Sequence, residues 1–134
     1  MSARSSLVAI AEKWISLWTA PVDWQLFDDL HGDDFEDMSP AGRPGTKQGF
    51  AQGLSELIHA FPDLRASVRD LVIDTEKSVV AVRWSAFGTN KSRFLGIGPT
   101  NNITPIAGIE IIQIQAGRIV RRWGEWDISS HADT

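Results

Sequence analysis

GIEIIQIQAGRIVRRWGEWD, residues 108–127, determines which fold this chain adopts. Two segments rich in β-branched residues flank the dipeptide Ala116-Gly117, and a two-residue connection of this kind predicts a tight β-hairpin. The hairpin would pair Gln115 with Arg118. If the ladder continues without interruption, residues 106, 108, 110 and 112 lie opposite residues 127, 125, 123 and 121, and all eight share one face of the sheet.

Three carboxylates fall on this face of the predicted hairpin. Asp127, Glu125 and Glu110 would lie there among isoleucines and beside Trp123. A carboxylate that is buried among apolar residues without a cation has a raised pKa, which suits a general acid or base at neutral pH. The hairpin therefore predicts acid/base chemistry on an apolar ligand, with these three acids as the candidates.

The pairing leaves alternatives open. Arg83 or Arg121 could pair with the acids and form a structural ion pair instead of a catalytic site. Gly108 either leaves room for a cavity floor or marks an ordinary bend. In addition, a single β-bulge would move every later side chain to the opposite face.

The opposite face of the hairpin is also largely apolar. Its predicted members are Ile109, Ile111, Gln113, Val120, Arg122 and Trp126. Because an exposed apolar sheet face is commonly covered by another subunit, we expect a homodimer through this outer sheet face.

Three helices are predicted before the first clear strand. Apolar residues at intervals of three and four follow the candidate N-caps Ser5 and Ser6, which indicates an amphipathic first helix. We expect Asp23 to cap a second, shorter helix and Thr46 to begin a third. A polar loop is predicted between them, starting at Asp33.

The second half of the chain changes to a period of two residues. Four antiparallel strands are predicted at residues 64–73, 79–87, 103–115 and 118–127. Helices followed by a run of strands indicate an α+β domain with the helices packed on one face of the sheet. With no repeat or linker, we expect a single domain over residues 1–134.

Composition excludes several classes of function. The chain has 13 basic and 17 acidic residues, a net charge of −4 and no basic run, which argues against binding to nucleic acid. It has no cysteine, no secretion signal and no apolar segment of about 20 residues, so we expect a cytoplasmic protein without a membrane partner. His31 and His59 lack metal-ligand spacing and are expected at the surface, so no metal is predicted.

Six short motifs are distributed over nearly the whole chain. They are AFPDL (60–64), VAVRW (80–84), FLGIGPT (94–100), GIEI (108–111), GRIV (117–120) and WGEWD (123–127). Together they resemble the SnoaL-like polyketide cyclases of the nuclear-transport-factor-2-like superfamily. The resemblance implies a cystatin-like α+β conical barrel, in which three N-terminal helices close a curved, mostly antiparallel sheet over a deep apolar pocket, often in a dimer.

The resemblance also implies a function. It indicates a cyclase that catalyses intramolecular aldol ring closure, or a related isomerisation, on an apolar carbonyl-bearing molecule with no cofactor. Asp127, near the end of the last strand, would be the base, and Glu125 and Glu110 would tune or share the proton. The residues expected to contact the ligand are Trp14, Trp18, Trp84, Trp123, Met38 and Ile112.

Met38 differs from the family pattern, because many members carry a histidine in this position. The same fold hosts several activities, so its chemistry does not follow from its architecture. One alternative is a non-catalytic protein that binds a small molecule in the same pocket. Another is an isomerase or an epoxide hydrolase.

Overall fold

Three helices pack on one face of a five-stranded sheet in the computed structural model, which describes residues 2–128. The elements are α1 (Ala3–Ile15), a 3₁₀ turn (Ser16–Trp18), α2 (Trp24–Leu30), β1 (His31–Asp37), α3 (Lys47–Ala60), β2 (Arg65–Asp74), β3 (Val79–Thr89), β4 (Ile103–Gln115) and β5 (Arg118–Ile128). The strand order is β1-β5-β4-β3-β2, and β1 runs parallel to β5 while all other pairs are antiparallel. The predicted α+β class is confirmed.

The helices begin where side chains cap their first turns. Asp23 and Thr46 are the N-caps of α2 and α3, as predicted. In α1 the cap is Ser2, whose hydroxyl accepts a hydrogen bond from the backbone N of Ser5 at 3.0 Å. The prediction of Ser5 or Ser6 as the cap is therefore wrong, because the helix begins one turn earlier.

Strand β1 is the element that sequence analysis missed. Asp33 lies within it, so the predicted start of the polar loop is wrong, and the loop begins after Asp37. Phe35 and Asp37 point inward from this strand, whereas Asp33 is exposed. The segment carries four acids in seven residues. Because it is an edge strand with one solvated face, the alternation of buried and exposed residues is weak in its sequence. Parallel pairing with β5 then brings Asp37 beside Arg122.

The β4–β5 hairpin has the predicted turn but not the predicted register. Gln115 pairs with Arg118, and the turn residues Ala116 (φ 52°) and Gly117 (φ 76°) both lie in the left-handed region that a tight hairpin of this length favours. After the second pair, a β-bulge leaves Val120 opposite no residue of β4. Every later pair is displaced by one residue.

The bulge reverses the predicted facing of β5. Asp127, Glu125 and Trp123 lie on the exposed outer face rather than among the buried isoleucines of the inner face. Arg122 and Trp126, which were expected on the outer face, point inward instead. The physical reason is that one extra residue in a strand of period two moves all following side chains to the other face.

The core consists of the inner sheet face and the apolar sides of the three helices. Trp14, Trp18, Trp84 and Ile112, which were expected to contact a ligand, are fully buried there. The expectation that Gly108 opens a cavity floor is also wrong. Its neighbouring space is filled by the indole of Trp84, with which a Cβ at this position would overlap.

His31 lies in an aromatic cluster rather than at the surface. Its Nε2 accepts a hydrogen bond from Trp14 Nε1 at 2.9 Å, and its Nδ1 donates to the carbonyl oxygen of Phe27 at 2.7 Å. The rings of Phe35 and Phe50 pack against it. Burial lowers the pKa of His31 to about 4, so the imidazole is neutral at physiological pH.

Candidate functional site

A cavity of about 310 Å³ opens between α3, the segment that follows β1, and the inner face of β5. Its volume is at the lower end of the range for small-molecule pockets. The residues that line it include Asp37, Met38, Phe50, Phe94, Arg122 and Trp126.

The guanidinium of Arg122 is held at the cavity wall by two carboxylates. Its Nε donates to Glu110 Oε1 at 2.7 Å, and its Nη1 donates to Asp37 Oδ1 and Oδ2 at 3.1 and 3.2 Å. All three side chains are at most 5% exposed. When all three groups are ionised, the cluster carries a net charge of −1.

Glu110 lies behind Arg122 and has no oxygen left for a ligand. Its Oε2 accepts from Trp84 Nε1 at 3.1 Å and from Trp126 Nε1 at 2.8 Å. Burial raises the pKa of Glu110, against the lowering effect of Arg122 and the three hydrogen bonds. Burial alone would lower the pKa of Arg122, but the two carboxylates raise it above its ordinary value, so the guanidinium stays charged.

The position of the guanidinium is further fixed by aromatic rings and by a glycine. The carbon Cζ of Arg122 lies 5.2 Å from the ring centre of Phe50 and 5.4 Å from that of Trp126, within the range of cation–π attraction. A side chain at Gly124 would overlap the carboxylate of Glu110. The glycine therefore leaves the space in which the ion pair forms.

The structure brings together few of the acids predicted for this site. Glu110 belongs to the centre. Glu125 lines the cavity, although its side chain is exposed, and Asp127 lies on the outer face and does not line it. Met38, which was expected to contact a ligand, lines the cavity, whereas Trp123 is on the outer face.

The arginines considered as partners of the acids serve elsewhere. Arg83 pairs with Asp70 at 2.6 Å and Arg121 with Glu36 at 3.2 Å, in both cases at the surface. Arg122 takes the role that was expected of them. No local sequence signal indicates this, because Arg121 and Arg122 are adjacent and only the bulge decides which one points inward.

Asp37 is the functional candidate that sequence reasoning missed. It follows a run of acids that resembles a solvated loop, and its partner Arg122 is 85 positions away in the chain. The available signal was the Asp-x-Ser pattern, since Asp37 accepts a hydrogen bond from the backbone N of Ser39 at 3.0 Å. Within residues 2–128, no cluster of three or more metal-ligating side chains is present and no helix is long and apolar enough to cross a membrane.

Comparisons with known proteins agree with this architecture. A family model described as SnoaL-like polyketide cyclase matches residues 8–132. No curated protein matches the sequence.

Among solved structures, TsrD from Streptomyces laurentii is 20% identical, with a TM-score of 0.79 over 92% of this chain and 90% of its own. IdmH from Streptomyces antibioticus, a proposed polyketide cyclase, is 25% identical, with a TM-score of 0.77 over 90% of this chain and 91% of its own. AclR from Streptomyces galilaeus, a proposed hydroxylase, is 19% identical, with a TM-score of 0.78 over 92% of this chain and 79% of its own. Because related folds carry different proposed activities, the chemistry has to be argued from the site.

Proposed function

Because this chain belongs to the SnoaL-like polyketide cyclase family, we propose that it catalyses cofactor-independent acid/base chemistry on an apolar, carbonyl-bearing small molecule bound in the cavity. The reaction class is intramolecular aldol ring closure or a related isomerisation. The observation that carries this proposal is a carboxylate beside a guanidinium, Asp37 and Arg122, on the wall of a cavity with aromatic surroundings.

Asp37 and Arg122 supply the two functions that such a reaction needs. A base removes a proton from the carbon next to a carbonyl group, and negative charge then develops on the carbonyl oxygen. Asp37 is the proposed proton acceptor, since it lines the cavity. The guanidinium of Arg122, whose side chain is only 5% exposed, is the proposed partner of the developing oxyanion. The electrons are delocalised onto the substrate's own carbonyl group.

Glu110 is a positioning residue in this proposal. Its carboxylate lies behind the guanidinium and accepts three hydrogen bonds from side chains, so it holds Arg122 without touching the ligand. Asp127 is replaced by Asp37 as the proposed base, because the bulge turns Asp127 to the outer face.

Proton abstraction is testable with ethyl benzoylacetate, whose central carbon lies between two carbonyl groups. We expect the wild-type protein to accelerate deuterium uptake at this carbon in heavy water, measured by nuclear magnetic resonance. Asp37→Asn should slow the protein-dependent rate by about 100-fold, which is typical of the loss of a general base. The matched control is Asp127→Asn, the same change on the outer face, which should keep the wild-type rate. If Asp127→Asn loses the exchange activity and Asp37→Asn retains it, the general base is Asp127 rather than Asp37.

A second candidate is a non-catalytic protein that binds a small molecule in the same cavity. The observation in its favour is that the carboxylates of Asp37 and Glu110 already pair with Arg122. On this alternative the wild-type protein binds ethyl benzoylacetate but leaves the exchange rate at the level of buffer.

We also propose a homodimer through the outer sheet face. Its exposed apolar side chains are Val72, Phe87, Ile103, Ile109, Ile111 and Trp123. An apolar surface of this extent favours cover by a second subunit.

The dimer is testable by the molecular mass in solution, measured by light scattering. We expect a dimer for the wild-type protein and a monomer for Ile109→Glu, because a charge would be buried at the centre of the interface. Leu95→Glu, an exposed position in the segment between β3 and β4, is the control and should remain dimeric. A monomeric wild-type protein would contradict the proposal.

A further inference from the structure

Ser39 is fixed on the cavity wall by hydrogen bonds that leave its hydroxyl proton unused. Its backbone N donates to Asp37 Oδ1 at 3.0 Å, and its carbonyl oxygen accepts from Arg122 Nη1 at 3.2 Å. Its Oγ accepts from the backbone N of Gly124 at 3.1 Å. In the part of the chain that the structure describes, no atom accepts the hydroxyl proton of Ser39.

A second unused hydrogen-bond donor, after the Ser39 hydroxyl, is the Nη2 group of Arg122, which also lies close to Gly124. Its Nε and Nη1 are bonded to Glu110, Asp37 and Ser39, whereas Nη2 has no acceptor within residues 2–128. Nη2 lies 2.5 Å from the place where a Cβ of Gly124 would stand. Ser39 Oγ and Arg122 Nη2 therefore both lie close to Gly124, and both residues line the cavity.

We propose that the Ser39 hydroxyl donates a hydrogen bond to an oxygen atom of the bound molecule and determines which ligands the cavity accepts. This inference rests on the proposed function, in which Arg122 takes one carbonyl oxygen. Ser39 is the neutral donor for a second oxygen of the same ligand. A ligand that lacks this oxygen leaves the hydroxyl without a ligand acceptor in the complex, which lowers its affinity.

The site is arranged so that recognition and proton transfer are adjacent. The oxygen Oδ1 of Asp37 accepts a hydrogen bond from the backbone N of Ser39, so the proposed base and the hydroxyl that binds the ligand belong to the same short turn. A ligand oxygen bound by Ser39 would hold the neighbouring carbon close to Asp37. Ser39 is thus a specificity-determining residue that acts through binding.

The test compares two probes that differ by one carbonyl group, ethyl benzoylacetate and ethyl hydrocinnamate. Their affinities are measured by the quenching of tryptophan fluorescence, since Trp126 lies on the cavity wall. We expect the wild-type protein to bind ethyl benzoylacetate about tenfold more tightly, the value of one neutral hydrogen bond. Ser39→Ala should reduce this preference to less than about twofold, while the affinity for ethyl hydrocinnamate stays within about twofold of wild type.

Two further variants keep the test decisive. Ser39→Thr retains the hydroxyl and should retain the preference, and Ser55→Ala, an exposed serine on α3, should behave as wild type. The inference is overturned if the wild-type protein shows no preference, including absence of binding, if Ser39→Ala keeps the preference, or if Ser39→Thr loses it.

The binding test fails or succeeds independently of the exchange test. Loss of the preference in Ser39→Ala without deuterium exchange by the wild-type protein would leave recognition by Ser39 standing and overturn catalysis. Exchange that depends on Asp37, together with an unchanged preference in Ser39→Ala, would leave catalysis standing and overturn the role of Ser39.

Discussion

Replacing Arg122 with methionine is expected to lower the free energy of unfolding by about 3–5 kcal/mol. The guanidinium is the cationic partner of both Glu110 and Asp37, and Glu110 is completely buried. Without Arg122, Glu110 must either remain charged in an apolar interior or take up a proton, and both alternatives cost stability. The measurement is urea unfolding at neutral pH, followed by tryptophan fluorescence.

Arg121→Met is the matched control for this prediction. Arg121 is the preceding residue of β5, but its side chain is 45% exposed and pairs with Glu36 on the outer face. An exposed ion pair of this kind contributes less than about 1 kcal/mol. Equal losses in Arg121→Met and Arg122→Met would contradict the assignment of Arg122 as the inward arginine.

A second variant separates the loss of an ion pair from the loss of packing. Glu110→Gln removes the buried charge but keeps the shape of the side chain. If the cost of Arg122→Met comes from an uncompensated carboxylate, the same arginine substitution should cost less in a Glu110→Gln background. Additive effects of the two substitutions would attribute the cost to packing of the arginine between Phe50 and Trp126.

Local chemistry accounts for the parts of the fold that could be predicted. Asp23 and Thr46 cap helices because their side-chain oxygens accept the first free N–H groups, a preference that depends on a few neighbouring residues. Ala116-Gly117 gives the hairpin because both residues adopt positive φ. These features need no information from distant parts of the chain.

The orientation of β5 depends on a feature without a local signal. Val120 is a good strand residue, and nothing in its neighbourhood marks it as the bulged position. Beyond it, however, the bulge exchanges the two faces. This single residue moved Asp127 outward and Arg122 inward, so the predicted acid/base face was wrong although the strand bounds were nearly right.

The candidate site depends on pairing across the chain. Asp37 meets Arg122 because β1 lies parallel to β5, and a strand rich in acids is not distinguishable from a loop by its own composition. The resemblance implied a carboxylate base on the last strand. In this chain, the carboxylate that pairs with a cation on the cavity wall comes from β1, and the last strand contributes that cation. The family assignment therefore gave the architecture, while the position of the charges required the strand register.

The free energy of unfolding is expected to fall by about 3 kcal/mol between neutral pH and pH 4 through His31 alone. Burial depresses the pKa of His31 to about 4 in the folded protein, from 6.5 for the unfolded chain. In this window the unfolded state binds more protons than the folded state, so stability is complete above pH 6.5 and is lost as the pH falls toward 4. Protonation of Nε2 would also remove the acceptor of Trp14 Nε1.

Comparison with two glutamine variants isolates the contribution of His31 from the other pH-dependent contributions, which all the variants share. His31→Gln should unfold more easily at neutral pH but lose about 3 kcal/mol less than wild type across the window. His59→Gln, the same change at an exposed position in the last turn of α3, should follow the wild-type curve. If His31→Gln and wild type lose stability in parallel, His31 must be charged or solvated in the folded protein. That result would contradict the interpretation that a neutral imidazole joins α2 to β1 and supports the strand that carries Asp37.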